Sequence, residues 1–488
     1  MHLRLRSRLP ASAQFILLAL ALMTADVVLG RGSKLAPVAV LAIVLAVATV
    51  PFLRSWTRAI AWLMAVVLLI PNDGRYIIGS GLPFQLEPYR VAVAVLLAGW
   101  GVGLLVDPKV RFRKTTFDGP LILIGVSAVL SDAANPGRVS GLESAVIKAV
   151  WLLICCLLFV YMTVSVLHTR ASVERLLTLL VCSGCFVAVI AVYQRQSGIN
   201  LFNDLHRFLP ILHYFAPAAE MMRGGHVRAT ASAGHPIELS STMSMLMPLA
   251  IYMGISRKQR IWYGAACLLL LGVFASGSRT GILGIIAMVG VFLYLRPRQT
   301  RRCWPALIPV LVVVHLSAPG ALGNVYGAFF PSGGLIAQQS NTVNGAEVSR
   351  LSRWGTSLHS FEAHNPLFGE GYGTRITGDT RNTGVKDNAQ ILDDEWLTTL
   401  LETGLVGVFA WIWLFGRVIR RLFARARIER DTPAGWLPVA IAASLLGFAV
   451  SMATYDAFAF IQATFIAFAL VAFSSVLLQL PPETGPAA

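Results

Sequence analysis

The segment "ILDDEWLTTLLETGLVG", residues 391–407, decides the fold. Three consecutive acids, Asp393, Asp394 and Glu395, stand directly before a run that is apolar enough to enter a lipid bilayer. Carboxylates at a helix N-terminus interact favourably with the helix macrodipole, whereas charges in the hydrocarbon are costly. The segment therefore predicts a membrane-spanning helix that begins near residue 396, with an acidic cap at its end.

The composition predicts many such helices along the chain. Of 488 residues, 56% are hydrophobic and 13% are charged, whereas about a quarter are charged in soluble domains. Apolar runs of roughly 17 to 25 residues can each cross a bilayer as a helix. We predict an all-α integral membrane protein with about 12–14 transmembrane helices. The candidate spans are 13–30, 35–53, 59–71, 91–106, 117–131, 145–167, 175–194, 236–255, 261–276, 280–295, 303–319, 396–416, 434–452 and 459–480.

The net charge of +16 comes mainly from the placement of basic residues in alternate connections. More than half of the 40 Lys and Arg fall in short connections on one side, such as "GRVIRRLFARARIERD" at residues 416–431. This is the positive-inside pattern, and it predicts that both termini lie in the cytoplasm. Membrane topology explains the charge, so we predict no nucleic-acid partner. The first span has no A-x-A-like site after it and is predicted to be a membrane anchor.

Two connections are too long to be simple turns. They divide the chain into N-terminal transmembrane helices (1–195), a periplasmic loop (196–235), central transmembrane helices (236–319), a large periplasmic loop (320–395) and C-terminal transmembrane helices (396–480). Long loops in a compact protein are frequent sites of function. The cysteines predict no site, because the only C-x-x-C pair, Cys182 and Cys185, lacks further metal ligands.

The first loop and the next turn offer two arginines for anion binding. Arg228 and His235 stand in "VRATASAGHPIELSS", where Gly234 and Pro236 are predicted to turn the chain into a helix. Alternatively, Arg228 simply marks the membrane interface. Arg279, in "ASGSRTGILG", is predicted to face outside, where the positive-inside rule gives it no reason to be. Its fork of donors matches phosphate oxygens.

The second loop carries charged residues in "SRLSRWGTSLHSFEAHNPLFGEGYGTR", residues 349–375. The segment 350–362 predicts an amphipathic helix that covers the mouth of a cavity. The glycines of "GEGYG" follow no strand, so a dinucleotide site is rejected, and we predict a tight turn at which the backbone approaches a ligand. The loop carries Arg350, Arg353, His364, Glu370 and Arg375, and the candidate site residues among them are Arg350, Arg353 and His364.

The order of these motifs resembles the O-antigen ligase and polymerase superfamily of bacterial membrane enzymes. "YQRQSG", "RATASAGHP", "SGSRTG", "NPLFGEGYG" and "DDEWL…G" occur in the family's order between about residues 193 and 407. The resemblance implies a fold of the C-type glycosyltransferase kind in the bacterial inner membrane, with a periplasmic lid and a periplasm-facing active site. It also implies metal-independent chemistry with no cofactor, and pyrophosphate binding by arginines that match Arg228 and Arg279.

The same resemblance implies the partners. The substrate is a glycan linked to undecaprenyl pyrophosphate, held among membrane lipids, and polysaccharide assembly and chain-length proteins are candidate partners. In the ligases a histidine thought to be the general base opens the pattern H-[NSQ]-x-x-L-x6-G. Here the same spacing runs from Asp393 through Leu397 to Gly404, with aspartate in place of histidine. This difference favours a polymerase over a ligase.

The acids before the span are the candidate catalytic residues. A carboxylate can accept the proton of an attacking sugar hydroxyl, and neighbouring acids tune its pKa. Asp393 is the first choice, Glu395 and His364 are reserves, and a purely capping role for the acids is the alternative. Both roles can coexist, with one acid capping the helix and another accepting the proton.

Glu402 lies deeper in the same span, where a charge usually has an interior partner. We predict that this partner is an arginine such as Arg279, with packing near the aqueous edge as the alternative. Asp26 and Asp456 are further acids inside apolar runs.

The sequence thus predicts a polymerase of lipid-linked repeats. A ligase that moves the glycan onto lipid A core or protein is the alternative within the enzyme class. A transporter of the lipid-linked sugar is the alternative from another class, but transporters usually show two matching halves, which this sequence does not.

Overall fold

The structure, a computed structural model, describes most of the chain from residue 55 onward. The described residues are 55–72, 75–78, 86–209, 211–215, 221–223, 225–317, 320, 323, 326, 341–343, 346–348, 355, 365–375, 392–430 and 432–483. The predicted spans 13–30 and 35–53 and the predicted helix 350–362, apart from residue 355, lie outside this part of the chain.

Every predicted span from 59–71 onward corresponds to a helix. The helices are α1 Trp56–Leu69, α2 Pro88–Val106, α3 Asp118–Ala134, α4 Pro136–Gly141, α5 Glu143–Val166, α6 Arg170–Ser197, α7 Pro236–Arg257, α8 Ile261–Ala275, α9 Arg279–Leu295, α10 Pro297–Arg302, α11 Leu307–Ser317, α12 Glu395–Ile428, α13 Trp436–Ser451 and α14 Ile461–Gln479. Within the described residues, seven helices are long and apolar enough to cross a membrane, with α13 extended by flanking turns. The chain is therefore an all-α multi-pass membrane protein.

Strands are short and lie in the connections. They are β1 Tyr76–Ile78, β2 Leu212–Tyr214, β3 Met222–Arg223, β4 His226–Val227, β5 Asn341–Val343 and β6 Ala346–Val348. They form three antiparallel pairs, β1 with β2, β3 with β4 and β5 with β6. In the first pair Tyr76 lies opposite Tyr214. This pair joins the α1–α2 connection to the first predicted loop.

The centre of the bundle is formed by α7, α13 and α14. Within the apolar window of α14, 94% of the residues are buried by other parts of the protein, against 28% in α2. A helix that is apolar all round is expected either in the core or against lipid. The burial therefore assigns α14 to the core and α2 to the periphery.

Small and hydroxyl-bearing residues bring α7, α9 and α13 close together. The Gly281 N–H donates to the Ser240 hydroxyl at 3.1 Å, and the Ser444 hydroxyl donates to the Met245 carbonyl at 2.6 Å. Lipid tails are as apolar as leucine, so membrane helices associate through such close packing and hydrogen bonds. The three helices therefore form a rigid support for the connections at one end of the bundle.

α12 is a broken helix. Gly404 has a φ of 66° and a ψ of −165°, which interrupts the helix nine residues after its start. The residues 365–375, here called the glycine-rich loop, supply the missing hydrogen bonds. The Glu370 N–H donates to the Leu401 carbonyl at 2.8 Å, and the Leu405 N–H donates to the Pro366 carbonyl at 3.0 Å.

Gly369 of this loop serves a packing role, and the predicted approach of the loop backbone to a ligand stays a prediction. A Cβ at Gly369 would lie 2.6 Å from the backbone of Glu402, and Gly369 has a φ of 73°. Only a residue without a side chain fits both the conformation and the contact. The loop and the first half of α12 form one unit.

The basic end of α12 extends twelve residues past its predicted end. The prediction ended at residue 416 with the apolar run, but the basic residues that follow continue the helix to Ile428. Arg425 is buried there, with its Nε 2.7 Å from Glu429 Oε1. Its other nitrogens donate to the carbonyls of Leu480 and Pro481. The basic segment is partly a packing element that holds the chain after α14.

Candidate active site

The three acids before α12 divide between capping and cavity-facing positions. Asp394 is the N-cap, because its Oδ1 accepts a hydrogen bond from the Leu397 N–H at 3.2 Å. Asp393 is half-buried and lies on the wall of a cavity of about 430 Å³. The structure thus separates a capping acid from an acid that faces the cavity. The catalytic role of Asp393 stays a prediction.

The backbone of Asp393 is in an uncommon conformation. Its φ of 54° lies in the left-handed region, which few non-glycine residues occupy. Aspartate tolerates this region better than most residues, because its short polar side chain can hydrogen-bond locally. The conformation lets Asp393 face the cavity while the next residue caps the helix. Residues in such conformations cluster at functional sites.

Asp456 holds this turn from another part of the chain. Its carboxylate accepts hydrogen bonds from the N–H groups of Asp393 and Asp394, each at 3.3 Å. It also accepts one from the Thr398 hydroxyl at 3.0 Å. Burial raises the pKa of Asp456 above its ordinary value, and the charge of Asp393 adds to the rise, while the Thr398 hydrogen bond opposes it. Asp456 also lines the cavity, so two carboxylates share one wall.

Glu395 joins the start of α12 to the connection between α13 and α14. Its Oε2 accepts a hydrogen bond from the Phe458 N–H at 2.9 Å, and its own N–H donates to the Tyr455 carbonyl at 3.1 Å. The side chain is buried and also borders the cavity. These contacts indicate a positioning role, and the predicted reserve role as a proton acceptor stays a prediction.

The cavity combines charged and aromatic side chains from several helices. Carboxylates and guanidinium groups can hydrogen-bond to sugar hydroxyls, and aromatic rings offer apolar faces. Such a lining suits a polar ligand with both hydroxyl groups and apolar faces. Its charged members are Glu87, Arg90, Glu238, Arg375, Asp393, Glu395, Glu402 and Asp456, and its large aromatic members are Tyr89, Tyr372, Phe458 and Phe460.

His235 is the N-cap of α7 and borders the cavity. Its Nδ1 accepts a hydrogen bond from the Ile237 N–H at 3.1 Å, and its ring centroid lies 5.6 Å from that of Phe460. Burial lowers the pKa of His235 to about 4, and the charge of Arg228 lowers it further, against the opposing charge of Asp393. The neutral ring is the form in which Nδ1 can accept a hydrogen bond. His235 therefore serves as a neutral cap at neutral pH.

The segment that leads into His235 is fixed by buried side chains from other elements. The Arg75 guanidinium donates to the carbonyls of Ala231 and Ser232 at 3.0 and 2.8 Å. Gln194 Oε1 accepts a hydrogen bond from the Ala231 N–H at 2.8 Å. Buried polar side chains whose hydrogen bonds are satisfied by the backbone in this way make that backbone rigid. The segment is preorganised before any substrate binds.

Arg228 and Arg279 both lie at the turn between α8 and α9. Arg228 Nε donates to the Ser276 carbonyl at 3.2 Å. Arg279 is the first residue of α9, directly after its N-cap Ser278, whose hydroxyl accepts a hydrogen bond from the Thr280 N–H. A helix N-terminus favours an anion through its free N–H groups and its dipole. The structure thus brings together two arginines that the sequence assigned to pyrophosphate.

This turn, here called the arginine turn (residues 276–280), is hydrogen-bonded to the segment that precedes Asp456. Thr280 Oγ1 lies 2.9 Å from Thr454 Oγ1, and the Ser451 hydroxyl donates to the Thr280 carbonyl at 3.2 Å. Thr454 is two residues before Asp456 in the chain. A short segment therefore links the arginine turn to Asp456.

Arg195 is a third arginine at this turn, and the sequence did not single it out. A Cβ at Gly277 would lie 4.0 Å from Nη1 of Arg195 and 3.6 Å from Cγ of Arg228. The side chain of Arg195 is buried at the end of α6. The signal was its place in "YQRQSG", one of the motifs that carried the resemblance.

Glu402 contacts Arg375 rather than the predicted partner Arg279. Its Oε1 accepts a hydrogen bond from the Arg375 N–H at 3.1 Å. The Arg375 side chain pairs with Glu370 Oε2 at 2.9 Å, and Arg138 lies 3.5 Å from the same oxygen. This buried network fastens the glycine-rich loop to α12. Glu370 and Arg375, noted in the sequence only as loop charges, are part of it.

Three predicted site residues, Arg350, Arg353 and His364, lie outside the described residues. Their roles stay predictions. Among the described residues, no group of three or more His, Cys, Asp or Glu is arranged to hold a metal ion. The metal-independent chemistry likewise remains an expectation from the resemblance.

Comparison with known proteins gives one family match. Residues 264–412 match the family model described as O-antigen ligase. The match includes Arg279, the glycine-rich loop and Asp393 to Glu395, and it confirms the predicted resemblance to the O-antigen ligase and polymerase superfamily. No curated protein matches the chain. The match and the seven apolar helices support a multi-pass membrane protein. At the level of the family, the match supports lipid-linked glycan transfer as its function.

Proposed function

With the O-antigen ligase match of residues 264–412 as premise, we propose that this protein is a periplasm-facing polymerase of undecaprenyl-pyrophosphate-linked oligosaccharide repeats. The observation that carries the proposal is the pair Asp393 and Asp456 on one cavity wall, linked to the arginine turn. Glycosyl transfer from such a carrier needs a proton acceptor and a site that stabilises the departing pyrophosphate.

In the proposed step, a hydroxyl oxygen of the acceptor repeat attacks the anomeric carbon of the donor chain. The bond from that carbon to the pyrophosphate oxygen breaks, and the carrier leaves with the electron pair. The hydroxyl proton passes to the Asp393 carboxylate, which later releases it to water. The reaction is balanced without a further reactant, since one glycosidic bond replaces one glycosyl–phosphate bond.

Arg228 and Arg279 stabilise the charge that develops on the departing pyrophosphate. Their guanidinium groups offer paired donors that match phosphate oxygens, and the N-terminus of α9 adds backbone donors. Arg195 supports the same turn from α6. In this proposal Arg350 or Arg353 adds a contact from the lid.

Asp456 acts as a positioning residue for Asp393. It accepts hydrogen bonds from the backbone of Asp393 and from the hydroxyl of Thr398, and so fixes the turn on which the proton acceptor stands. Preorganised geometry of this kind accounts for a large part of enzymatic rate enhancement. Glu395 and His364 remain reserve proton acceptors.

The active site in this proposal faces the periplasm from the bacterial inner membrane, with both chain termini in the cytoplasm. The basic connections support this orientation through the positive-inside pattern. The basic segment that ends α12 lies at the opposite end of that helix from Asp393. The site and the basic end are therefore on opposite sides of the bilayer.

A ligase that transfers the glycan to lipid A core or protein is the second candidate. The description of the matching family model, O-antigen ligase, is the observation that favours it. The two activities differ in the acceptor. Loss of a ligase leaves long carrier-linked chains, whereas loss of a polymerase leaves single carrier-linked repeats.

The test is a glycan profile of a deletion strain that is complemented with the wild type, Asp393→Asn or Asp394→Asn. We expect single carrier-linked repeats in the deletion strain and in the Asp393→Asn strain. Asp394→Asn is a matched control, because it removes the same charge from the next residue while asparagine remains a good N-cap. This variant should restore polymer at normal membrane abundance.

Each contrary profile has a distinct meaning. Long carrier-linked chains in the deletion strain would identify a ligase that works with aspartate in the histidine position. A normal profile with Asp393→Asn would show that Asp393 is not the proton acceptor. Equal loss of polymer with both variants would show that the effect is not specific to Asp393.

A further inference from the structure

A second and larger cavity, of about 850 Å³, opens beside the first one. It lies between α2, α5 and the start of α14, with Val93, Leu152 and Phe465 among its apolar walls. Two lining residues of α5, Ile147 and Trp151, are 58% and 55% exposed. Because α5 is a membrane-spanning helix, these exposed apolar side chains face lipid. The cavity is therefore a groove that opens toward the bilayer.

The groove adjoins the candidate active site, because the two spaces share lining residues. A ligand with an apolar tail and a polar head can thus lie in both spaces at once, with its tail in the groove and its head beside Asp393. Ligand sites commonly combine mostly apolar walls with a few polar groups. The residues that line both spaces are Tyr89, Arg90, Phe458, Ala459 and Ile461.

Two cations stand along this path. Lys148 lines the groove five residues after the start of α5, and within the described part of the chain it makes no hydrogen bond or ion pair. Arg90 stands where the groove meets the active-site cavity, 36% exposed, with its Nε 2.7 Å from Glu87 Oε2. Charged residues on a membrane helix are costly and usually mark a functional path.

We propose that the groove holds the polyprenyl tail of the acceptor, the second lipid-linked substrate, with its pyrophosphate near Lys148 and Arg90. The inference rests on the proposed function and deepens it. Arg228 and Arg279 are not among the residues that line the groove or the active-site cavity. In this proposal the donor and acceptor pyrophosphates therefore have separate basic sites. A polymerase needs two polyprenyl sites, whereas a ligase needs one.

The test is photo-crosslinking with the full-length protein in nanodiscs of phosphatidylethanolamine and phosphatidylglycerol. A photoreactive phenylalanine analogue replaces Ile147 in one variant and Val129 in the control, and the probe is radiolabelled undecaprenyl pyrophosphate. Val129 is a matched control, because it is 64% exposed, lies five residues from its end of α3 and lines neither cavity. We expect crosslinking about tenfold stronger at residue 147 than at residue 129.

Further variants test the charge and the separation of the two sites. Lys148→Glu should reduce the signal at residue 147 by about tenfold, and Lys148→Arg should preserve it. Arg279→Ala should leave that signal unchanged, since this arginine belongs to the donor site. Excess unlabelled undecaprenyl phosphate should compete with the probe, whereas the phospholipids of the nanodisc should not.

Several outcomes would overturn the inference. Equal signals at residues 147 and 129 would show that the groove is ordinary lipid-facing surface. Loss of the signal in Arg279→Ala would show that the groove holds the tail of the donor. No effect of Lys148→Glu would remove the lysine from the site.

The crosslink does not require turnover, so it separates this inference from the proposed function. A ligase-type glycan profile together with strong crosslinking at residue 147 would contradict the proposed polymerase and the assignment of the groove to an acceptor, but the groove would remain a polyprenyl site. A polymerase-type profile without that crosslink would contradict only the acceptor groove.

Discussion

The backbone N–H of Asp393 donates a hydrogen bond to Oδ2 of Asp456 at 3.3 Å, across 63 positions of sequence. This contact joins the turn before α12 to the connection between α13 and α14. It fixes the residue that faces the cavity through its backbone and leaves the Asp393 carboxylate on the cavity wall. The position of the proposed proton acceptor therefore depends on a residue outside the matched segment 264–412.

Replacing Asp456 with alanine should lower kcat by about 10²-fold, because small displacements of a catalytic group can cost that much. KM should change little, since Asp456 is proposed to position Asp393 rather than to bind substrate. The measurement is turnover of purified lipid-linked repeats by enzyme in nanodiscs. Asp456→Asn keeps one acceptor oxygen but replaces the other, which also accepts a backbone N–H, with an amide donor, so it should recover only part of kcat. Equal kcat in the wild type and the alanine variant would contradict the positioning role.

Arg279→Ala should abolish polymer while the protein remains in the membrane. Loss of one donor at a developing negative charge typically costs about 10² to 10³ in kcat. Arg279→Lys keeps the charge but loses the paired donors, so it should show intermediate activity. Polymer length and membrane abundance are measured in the same complemented strains. Full polymer from the alanine variant would exclude Arg279 from the pyrophosphate site.

Gly404→Ala should destabilise the protein. A Cβ at this position would lie 2.3 Å from the Leu367 carbonyl oxygen, and the φ of 66° alone should cost an alanine about 1–3 kcal/mol. Gly416→Ala in the same helix is the control, because a Cβ there meets nothing within 4 Å. This second change should stabilise the helix by about 0.5–1 kcal/mol. Thermal unfolding in detergent measures both, and equal midpoints would contradict the packing role of Gly404.

His235 should make the stability of the protein depend on pH. Its pKa is lowered to about 4 in the folded protein, mainly by burial, from a reference value of 6.5. Between these values the unfolded chain binds a proton that the folded protein does not, so stability is full above pH 6.5 and falls as the pH decreases toward 4. Thermal midpoints from pH 7 to pH 4 measure the effect.

His235→Asn is the control for this dependence. Asparagine is a good N-cap without a titrating group, so the variant should lose the His235 part of the decline while it keeps the helix start. An unchanged pH dependence in the variant would show that His235 does not titrate as the structure indicates.

The membrane helices were predictable, because a long apolar run has few alternatives to a membrane-spanning helix. The helix start at Pro236 followed from a local proline signal, and the structure confirms it. The helix predicted to begin at residue 280 begins one residue earlier, at Arg279. The acidic cap was predictable from the same local chemistry. That Asp394 caps the helix while Asp393 faces the cavity depends on the backbone torsion φ of Asp393, which the sequence does not reveal.

The contacts between distant segments were not predictable. Asp456 stood in the sequence as one of several acids in apolar runs, and only the fold brings it to Asp393. The predicted pair of Glu402 and Arg279 was replaced by Glu402 and Arg375, because the glycine-rich loop returns to α12 at its break. Charge alone could not choose between these arginines, since the choice depends on how a loop packs.

The break in α12 has a mechanical consequence. The nine residues before Gly404 form a short rod, which is bonded at its start to Asp456 and Tyr455 and at its other end to the glycine-rich loop. The same loop continues backward in the chain toward the segment predicted to be the lid. Because the rod is bonded at both ends, it holds Asp393 at a constant distance from the glycine-rich loop.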